Sequence, residues 1–181
     1  KYLNFFIDSF VTFISAMGLT VNPVTFQIIF PLGISFFTFR LISYLVEVSR
    51  GTMEPTRDFV AFAAYIAFFP TLFAGPIDRP NVFIPQLSFA RVFQYDLAID
   101  GTRQILWGIF KKMVIADNMA FFIGAVWADI PGQNATTLLL AALLFPIQLY
   151  ADFSGYSDMA IGVGKILGLR VAINFRYPFF A

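Results

Sequence analysis

The sequence predicts an all-α, polytopic membrane protein, a helical body whose spans are kinked and broken. Three observations carry that expectation. Apolar residues fill 59% of the 181 positions and charged residues 13%, with a mean hydropathy of +0.76; ordinary soluble domains hold roughly 45–50% and ~25%. The apolar residues come in long runs, with no charge at all between Asp8 and Arg40. Proline and glycine then fall inside those runs, where a bundle of membrane helices tolerates them and re-satisfies the freed backbone groups.

The elements follow in order. Residues 2–19 form a short first span, and Asn22-Pro23 is the turn after it. Residues 24–46, at about 1.5 Å per residue, cover a hydrocarbon core of about 30 Å, and Pro31 and Gly33 should bend them. Arg40 lies within this span, where it either snorkels to an interface or pairs with a carboxylate; snorkelling is the favoured reading. Residues 50–58 are a polar loop. The run 59–77 is charge-free but carries Pro70, Gly75 and Pro76, so its far end should unwind. Residues 78–96 are polar, 97–110 are amphipathic, and Lys111-Lys112 reads as the close of that helix near an interface.

A shorter apolar run spans 113–127, Pro131-Gly132 breaks the chain, and the last long element covers about 136–168, interrupted at Pro146. Ala160, Gly164 and Gly168 make a small-residue ridge suited to close helix approach. Arg50, Arg57, Arg79 and Arg91 sit on alternate loops, so charge asymmetry leaves orientation open. No repeat or composition shift marks a second domain, and residues 1–181 read as one partial membrane domain. Lys1 at the start and the apolar run before Ala181 read as truncation at both ends.

Composition also removes function classes. A net charge of +1 offers no basic face for phosphates, so nucleic acid is not an expected partner. Without cysteine or histidine there is no thiolate, no imidazole base, no Ser/His/Asp arrangement and no expected metal or bound cofactor.

Polar groups inside apolar runs are expensive and call for a reason. Gln148 and Asp152 share a helix face, with Gly155 three positions on, and Ser154, Tyr156 and Asp158 complete a polar strip. Two readings of Asp152 stay open: a carboxylate that accepts local hydrogen bonds or caps a break, or one that lines a cavity reached by substrate. Gly75-Pro76-Ile77-Asp78-Arg79 combines a permissive glycine, a rigid proline and a neighbouring acid and base, a structural turn with a local ion pair.

Five segments together resemble the membrane-bound O-acyltransferases, in the bacterial branch that contains the alginate O-acetylation protein. Pro31-Leu32-Gly33-Ile34-Ser35-Phe36-Phe37-Thr38-Phe39 is similar to that branch's PLGISFFTF, and Phe68-Phe69-Pro70 through Gly75-Pro76-Ile77 to its FFPxLxAGPI. Phe110-Lys111-Lys112 with Ile115-Ala116-Asp117-Asn118 resembles FKKxxIADN, and Asp152 through Gly162 matches DFSGYSDMAIG. Asn174-Phe175 with Pro178-Phe179 resembles NFxxPY, with Phe179 where Tyr is usual.

The resemblance implies transfer of an acyl group, acetyl in this branch, to hydroxyls of an extracytoplasmic polysaccharide such as alginate. It implies a multi-pass protein of the bacterial cytoplasmic membrane, surrounded by lipid. A thioester-type acyl donor would serve as cosubstrate and a polysaccharide as acceptor, with accessory acyl-transfer proteins or an acyl carrier as partners. The family's catalytic histidine would fall after residue 181, so these residues alone are expected to be inactive. The strip Gln148, Asp152, Ser154, Tyr156 and Asp158, with Asn174, would line or brace a pore where donor and acceptor meet. D-alanyl transfer to teichoic acid is the neighbouring outcome within the family; a transporter or scaffold element is the alternative outside it.

Overall fold

The structure is a computed structural model that describes residues 2–17 and 33–175. The expected turn at Asn22-Pro23, the bend at Pro31 and the Pro178-Phe179 segment lie outside them. Every regular element described is helical, which agrees with the all-α expectation. The chain groups into two units, 1–31 and 32–181. The first holds α1 (Tyr2–Ala16), on which Phe6, Phe10 and Phe13, followed by Met17, form an exposed apolar stripe at helical spacing.

In the second unit α2 (Ile34–Ser49) begins directly after Gly33. Gly33 itself has a left-handed φ of 75°, outside helical geometry. A Cβ there would meet the Leu72 carbonyl oxygen at 2.3 Å, so the close approach also requires glycine. The helix ends at Gly51 (φ 68°), where Gly51 N–H bonds Val48 and Thr52 N–H bonds Glu47, the crossed pair that consumes a helix's last carbonyls. The next helix, α3 (Phe59–Ile66), is capped by Asp58, whose carboxylate accepts from the Val60 and Ala61 N–H groups at 2.9 and 3.0 Å. It stops early, gives one 3-10 turn at Phe69–Thr71, and unwinds through Gly75 and Pro76 as the sequence predicts. After that turn α4 (Pro80–Leu87) starts on Pro80, a residue already set for the first helical position.

The largest assembly is a helical hairpin. One arm runs through α5 (Tyr95–Ile109), a π-helical turn (Phe110–Ala116) and α6 (Asp117–Ala128) without a break. The other is α7 (Ala135–Ile166), capped by the Asn134 side chain on Thr137 N–H at 2.8 Å. Two expectations are corrected here. Lys111-Lys112 does not close a helix but sits in the π turn between two helices. Pro146 does not interrupt α7 either; in apolar surroundings a continuous helix is the cheapest way to keep the flanking backbone groups paired.

The register of the hairpin is set by glycine. A Cβ on Gly101 would lie 2.6 Å from the Gly162 carbonyl oxygen, and one on Gly108 would lie 2.5 Å from that of Gly155. The reciprocal distances are 2.5 and 2.8 Å. Two glycine pairs, seven positions apart on each arm, thus bring the backbones into contact. The ridge expected at Ala160, Gly164 and Gly168 plays a different part. Gly164 receives Val171, and Gly168 (φ 69°) ends α7, with Leu169 N–H bonded to Gly164 at 2.8 Å.

Beyond α7 the chain folds back beside it. Leu169 and Val171 join Ala61, Tyr65, Phe68, Phe83, Ile84 and Ile161 in one buried apolar cluster drawn from α3 and the turn after it, α4 and α7. Outside that cluster much of the surface is apolar, including Leu139, Leu140, Leu143, Phe145 and Ile147 on α7. Among the described helices α7 alone is long and apolar enough to cross a membrane, while 59–71 is a shorter apolar stretch.

Candidate functional site

The π turn and the middle of α7 face each other, and their charged groups meet. Lys111 Nζ pairs with the Asp158 carboxylate and lies 3.3 Å from Ser154 Oγ. Gln104, about two turns earlier, donates Nε2 to Asp158 Oδ1 at 3.0 Å. Lys112 Nζ reaches Asp152 Oδ1 at 2.6 Å and Asp117 Oδ1 at 2.9 Å. Lys111 and Lys112 are consecutive in the π turn, and both side chains reach carboxylates of α7. The change of register frees carbonyls, and Asn118 Nδ2 donates to those of Met113 and Val114 at 3.2 and 2.8 Å.

The structure therefore joins Asp152, Ser154 and Asp158 of the predicted strip to Lys111, Lys112, Asp117 and Gln104. Asp152 is an ion-paired acceptor rather than a helix cap. Gln148 is half-buried one turn before it. Tyr156 faces elsewhere, its ring 3.6 Å from where a Cβ on Gly75 would stand. Asn174 is exposed on the returning chain, whose Phe175 packs edge-on against Tyr150 and Phe153 at 5.8 and 5.3 Å; it hydrogen-bonds none of the cluster. The two lysines escape a sequence reading that takes them as a helix end. Their signal is arithmetic: two cations in one apolar stretch and two carboxylates in another each need a partner.

A second polar knot braces the neighbouring elements. Arg40 is 1% exposed, which corrects the snorkelling expectation. Its guanidinium donates Nη1 to the carbonyls of Tyr65, Ile66 and Phe68 at 3.0, 3.2 and 3.5 Å, and Nη2 to that of Thr71 at 3.3 Å. The Tyr65 and Ile66 carbonyls are ones that the early end of α3 leaves without helical donors, and those of Phe68 and Thr71 belong to the turn that follows. A planar fork with several N–H groups can serve them together, which a single ammonium cannot.

Gly75 (φ 110°) and Pro76 are buried and form the predicted turn. The expected ion pair between Asp78 and Arg79 does not form. Asp78 is 4% exposed and its Oδ1 accepts from Ala172 N–H at 2.7 Å, while Arg79 is exposed and precedes α4. Burial pushes the Asp78 carboxyl above its ordinary value, and the Ala172 hydrogen bond draws it part of the way back. The Tyr65 hydroxyl donates to the Asp78 carbonyl at 2.9 Å. Asp78 thus pins the chain that returns from α7 to the turn after α3.

Chemically, the lysine–aspartate cluster can hold two elements in fixed register and present hydroxyl, amide and ionic groups at mid-helix. Among the described residues no three potential metal ligands converge.

No family model matches the chain. It is 41% identical over 99% of its length to "Probable alginate O-acetylase AlgI" of Pseudomonas syringae pv. tomato, of which it covers 34%. It is 32% identical, again over 99% of its length, to the peptidoglycan O-acetyltransferase of Helicobacter pylori, of which 38% is covered. Over 82% of its length it is 29% identical to the teichoic acid D-alanyltransferase of Bacillus subtilis, with 38% of that protein covered. The chain thus spans about a third of the length of the curated relatives it matches.

Proposed function

We propose that the chain belongs to the membrane-bound O-acyltransferases, on the side of the alginate O-acetylases, and that the whole protein esterifies hydroxyls of an extracytoplasmic polysaccharide with acetyl groups. The observation that carries this reading is the similarity at 41% identity along 99% of the chain. It is the property of a continuous helical body and not of one short motif. The three relatives, by their names, act on three different envelope polymers, so the shared element is acyl transfer to an envelope polymer and the acceptor varies. Alginate or an alginate-like polymer is the first choice of acceptor, because the alginate relatives have the higher identity.

O-acylation needs a base for the acceptor hydroxyl and an activated acyl donor, for which a thioester is the chemical class proposed. The 181 residues hold neither histidine nor cysteine, and Asp152 and Asp158 are already committed to lysines. The role assigned to this part is therefore architectural: it holds the helices that bound the reaction space, and expressed alone it should not turn over. Multiple crossings of the bacterial cytoplasmic membrane, with soluble acyl-transfer partners, complete the proposal.

The test is to delete the gene in its host and analyse ester groups on the envelope polymers. Loss of O-acetyl esters, restored by the full-length gene, supports the reading. Loss of D-alanyl esters with acetyl unchanged would select the second reading, which the similarity to the Bacillus subtilis protein favours. Unchanged esters of both kinds would overturn acyl transfer and return the helical body to the transporter or scaffold class.

A further inference from the structure

Ten Lys and Arg residues fall among the described residues. Arg40, Lys111 and Lys112 are used inside the body, as described above. The other seven, Arg50, Arg57, Arg79, Arg91, Arg103, Lys165 and Arg170, gather at one end of the second unit. Contacts across the elements bring them there: Asn81 Nδ2 donates to Glu47 at 3.3 Å, and Gln86 bonds both the N–H and the carbonyl of Arg170 at 2.7 and 3.3 Å. Lys165 pairs with Asp100. The loop joining the hairpin arms, 129–134, carries no Lys or Arg.

At the basic end lies a groove of about 720 Å³ between the segment after α4 and the chain returning from α7. Its walls include Phe89, Val92 and Ile173 beside Arg91, Lys165 and Arg170, and no Asp or Glu lines it. Lys165 is neutralised by Asp100, whereas Arg91 and Arg170 make no ion pair among the described residues. The Arg91 stem lies across Gly168, its Cδ 3.7 Å from where a Cβ would stand. The strand-free segment beside it exposes Phe89 by 73%, Val92 by 80%, Phe93 by 69% and Tyr95 by 71%. Aromatic and apolar groups interleaved with arginine are the composition of a membrane interface, where rings sit at headgroup level and guanidinium groups meet phosphate.

We propose that this groove holds the phosphate headgroup of an anionic phospholipid between Arg91 and Arg170, with the acyl chains against Phe89, Val92 and Ile173. The occupant is a lipid rather than a free phosphate because the two cations share the groove with apolar surface that a soluble anion would leave wet. The site rests on the membrane reading above but not on acyl transfer.

The test uses the purified full-length protein in detergent, titrated with phosphatidylglycerol and separately with phosphatidylcholine of identical chains, bound lipid being counted by native mass spectrometry. Phosphatidylglycerol should be retained several-fold over phosphatidylcholine, and R91Q/R170Q should cut that retention by about fivefold or more, as the removal of two headgroup cations predicts. R57Q, at the same end but outside the groove, should retain the lipid as the parent does. Each single variant should give an intermediate loss, which keeps the test decisive if the double variant unfolds. Equal retention of the two lipids, or retention unchanged in R91Q/R170Q, would overturn the site. Displacement of the lipid by matched glycerol 3-phosphate would show a soluble-phosphate site and overturn the lipid assignment. Lipid preference without acyl transfer in the same preparation would uphold this site while counting against the proposed reaction.

Discussion

At the scale of single residues, the cluster around Lys112 makes an asymmetric prediction. Its two carboxylate partners, Asp152 and Asp117, stand at 2.6 and 2.9 Å, and each pair is more than a third exposed within the chain. In water such pairs contribute about 0–1 kcal/mol. On a surface that faces hydrocarbon, an unpaired carboxylate costs at least ~2.5–3.5 kcal/mol. Asp152→Ala leaves Lys112 with Asp117, whereas Lys112→Ala strands two acids. Membrane abundance of the full-length protein should therefore fall several-fold for K112A and little for D152A; equal loss for both would reject the shared-lysine geometry. Asp78, beyond the third apolar run, gives a pH prediction. Its folded carboxyl titrates above the unfolded one, so its contribution to stability falls as pH rises from the unfolded pKa of ~3.9 through the folded value. Asp78→Asn keeps an acceptor for Ala172 N–H and removes that penalty. Relative to the parent, D78N should gain stability across this window, read from melting temperatures at acid and neutral pH; a gain confined to acid pH would contradict the burial argument. Asp152, Ser154 and Asp158 were legible in the sequence because polarity inside an apolar run is anomalous by itself. Lys111, Lys112 and Arg40 were visible but misread, since a basic residue can always be sent to an interface until its partners are seen.

At the scale of elements, the glycine pairs decide how closely the hairpin arms approach. Gly108→Ala would place a methyl group 2.5 Å from the Gly155 carbonyl oxygen and 2.9 Å from the Met159 backbone nitrogen, and relieving it must move backbone, since shifting the flexible Met159 side chain alone leaves both contacts. Such overpacking costs about 1–3 kcal/mol. The same change at Gly124, which has nothing within 4 Å of an added Cβ, should be neutral or stabilise by roughly 0.4–1 kcal/mol through lower unfolded-state entropy. Thermal unfolding of the two variants in detergent separates these outcomes, and an unperturbed G108A would mean that the arms do not touch there. Helix existence was readable from the apolar runs, but partnership was not. The four-residue ridge at Ala160, Gly164 and Gly168 looked like a packing face. The working positions, Gly155 and Gly162, share a seven-residue spacing that gains meaning only beside Gly101 and Gly108. The π turn was hidden for a similar reason: its register depends on carbonyls that Asn118 satisfies and on carboxylates more than thirty positions away.

At the scale of the whole molecule, the structure supplies the charge asymmetry that loop order alone conceals. Along the sequence, basic residues alternate between loops. In space, Arg50, Arg57, Arg79, Arg91, Arg103, Lys165 and Arg170 share one end. No Lys or Arg occurs between Lys112 and Lys165, so the 129–134 turn between the hairpin arms is uncharged by cations. The preference of Lys and Arg for the cytoplasmic side acts on flanks of this kind, and the attraction of each cation to an anionic leaflet, about 1 kcal/mol, adds over the set. The basic end should therefore face the cytoplasm and the 129–134 turn the opposite compartment. Because these 181 residues contain no cysteine, single cysteines introduced here, in a full-length protein freed of any others, report the two ends separately. Ile130 is 47% exposed and Arg57 is exposed, so I130C should react with a membrane-impermeant maleimide on intact spheroplasts, and R57C only after permeabilisation. The reverse pattern would invert the orientation and remove the cytoplasmic leaflet as the source of lipid for the groove. Labelling of both from the same side would show that α7 does not cross the membrane, and the multi-pass reading would fall with it.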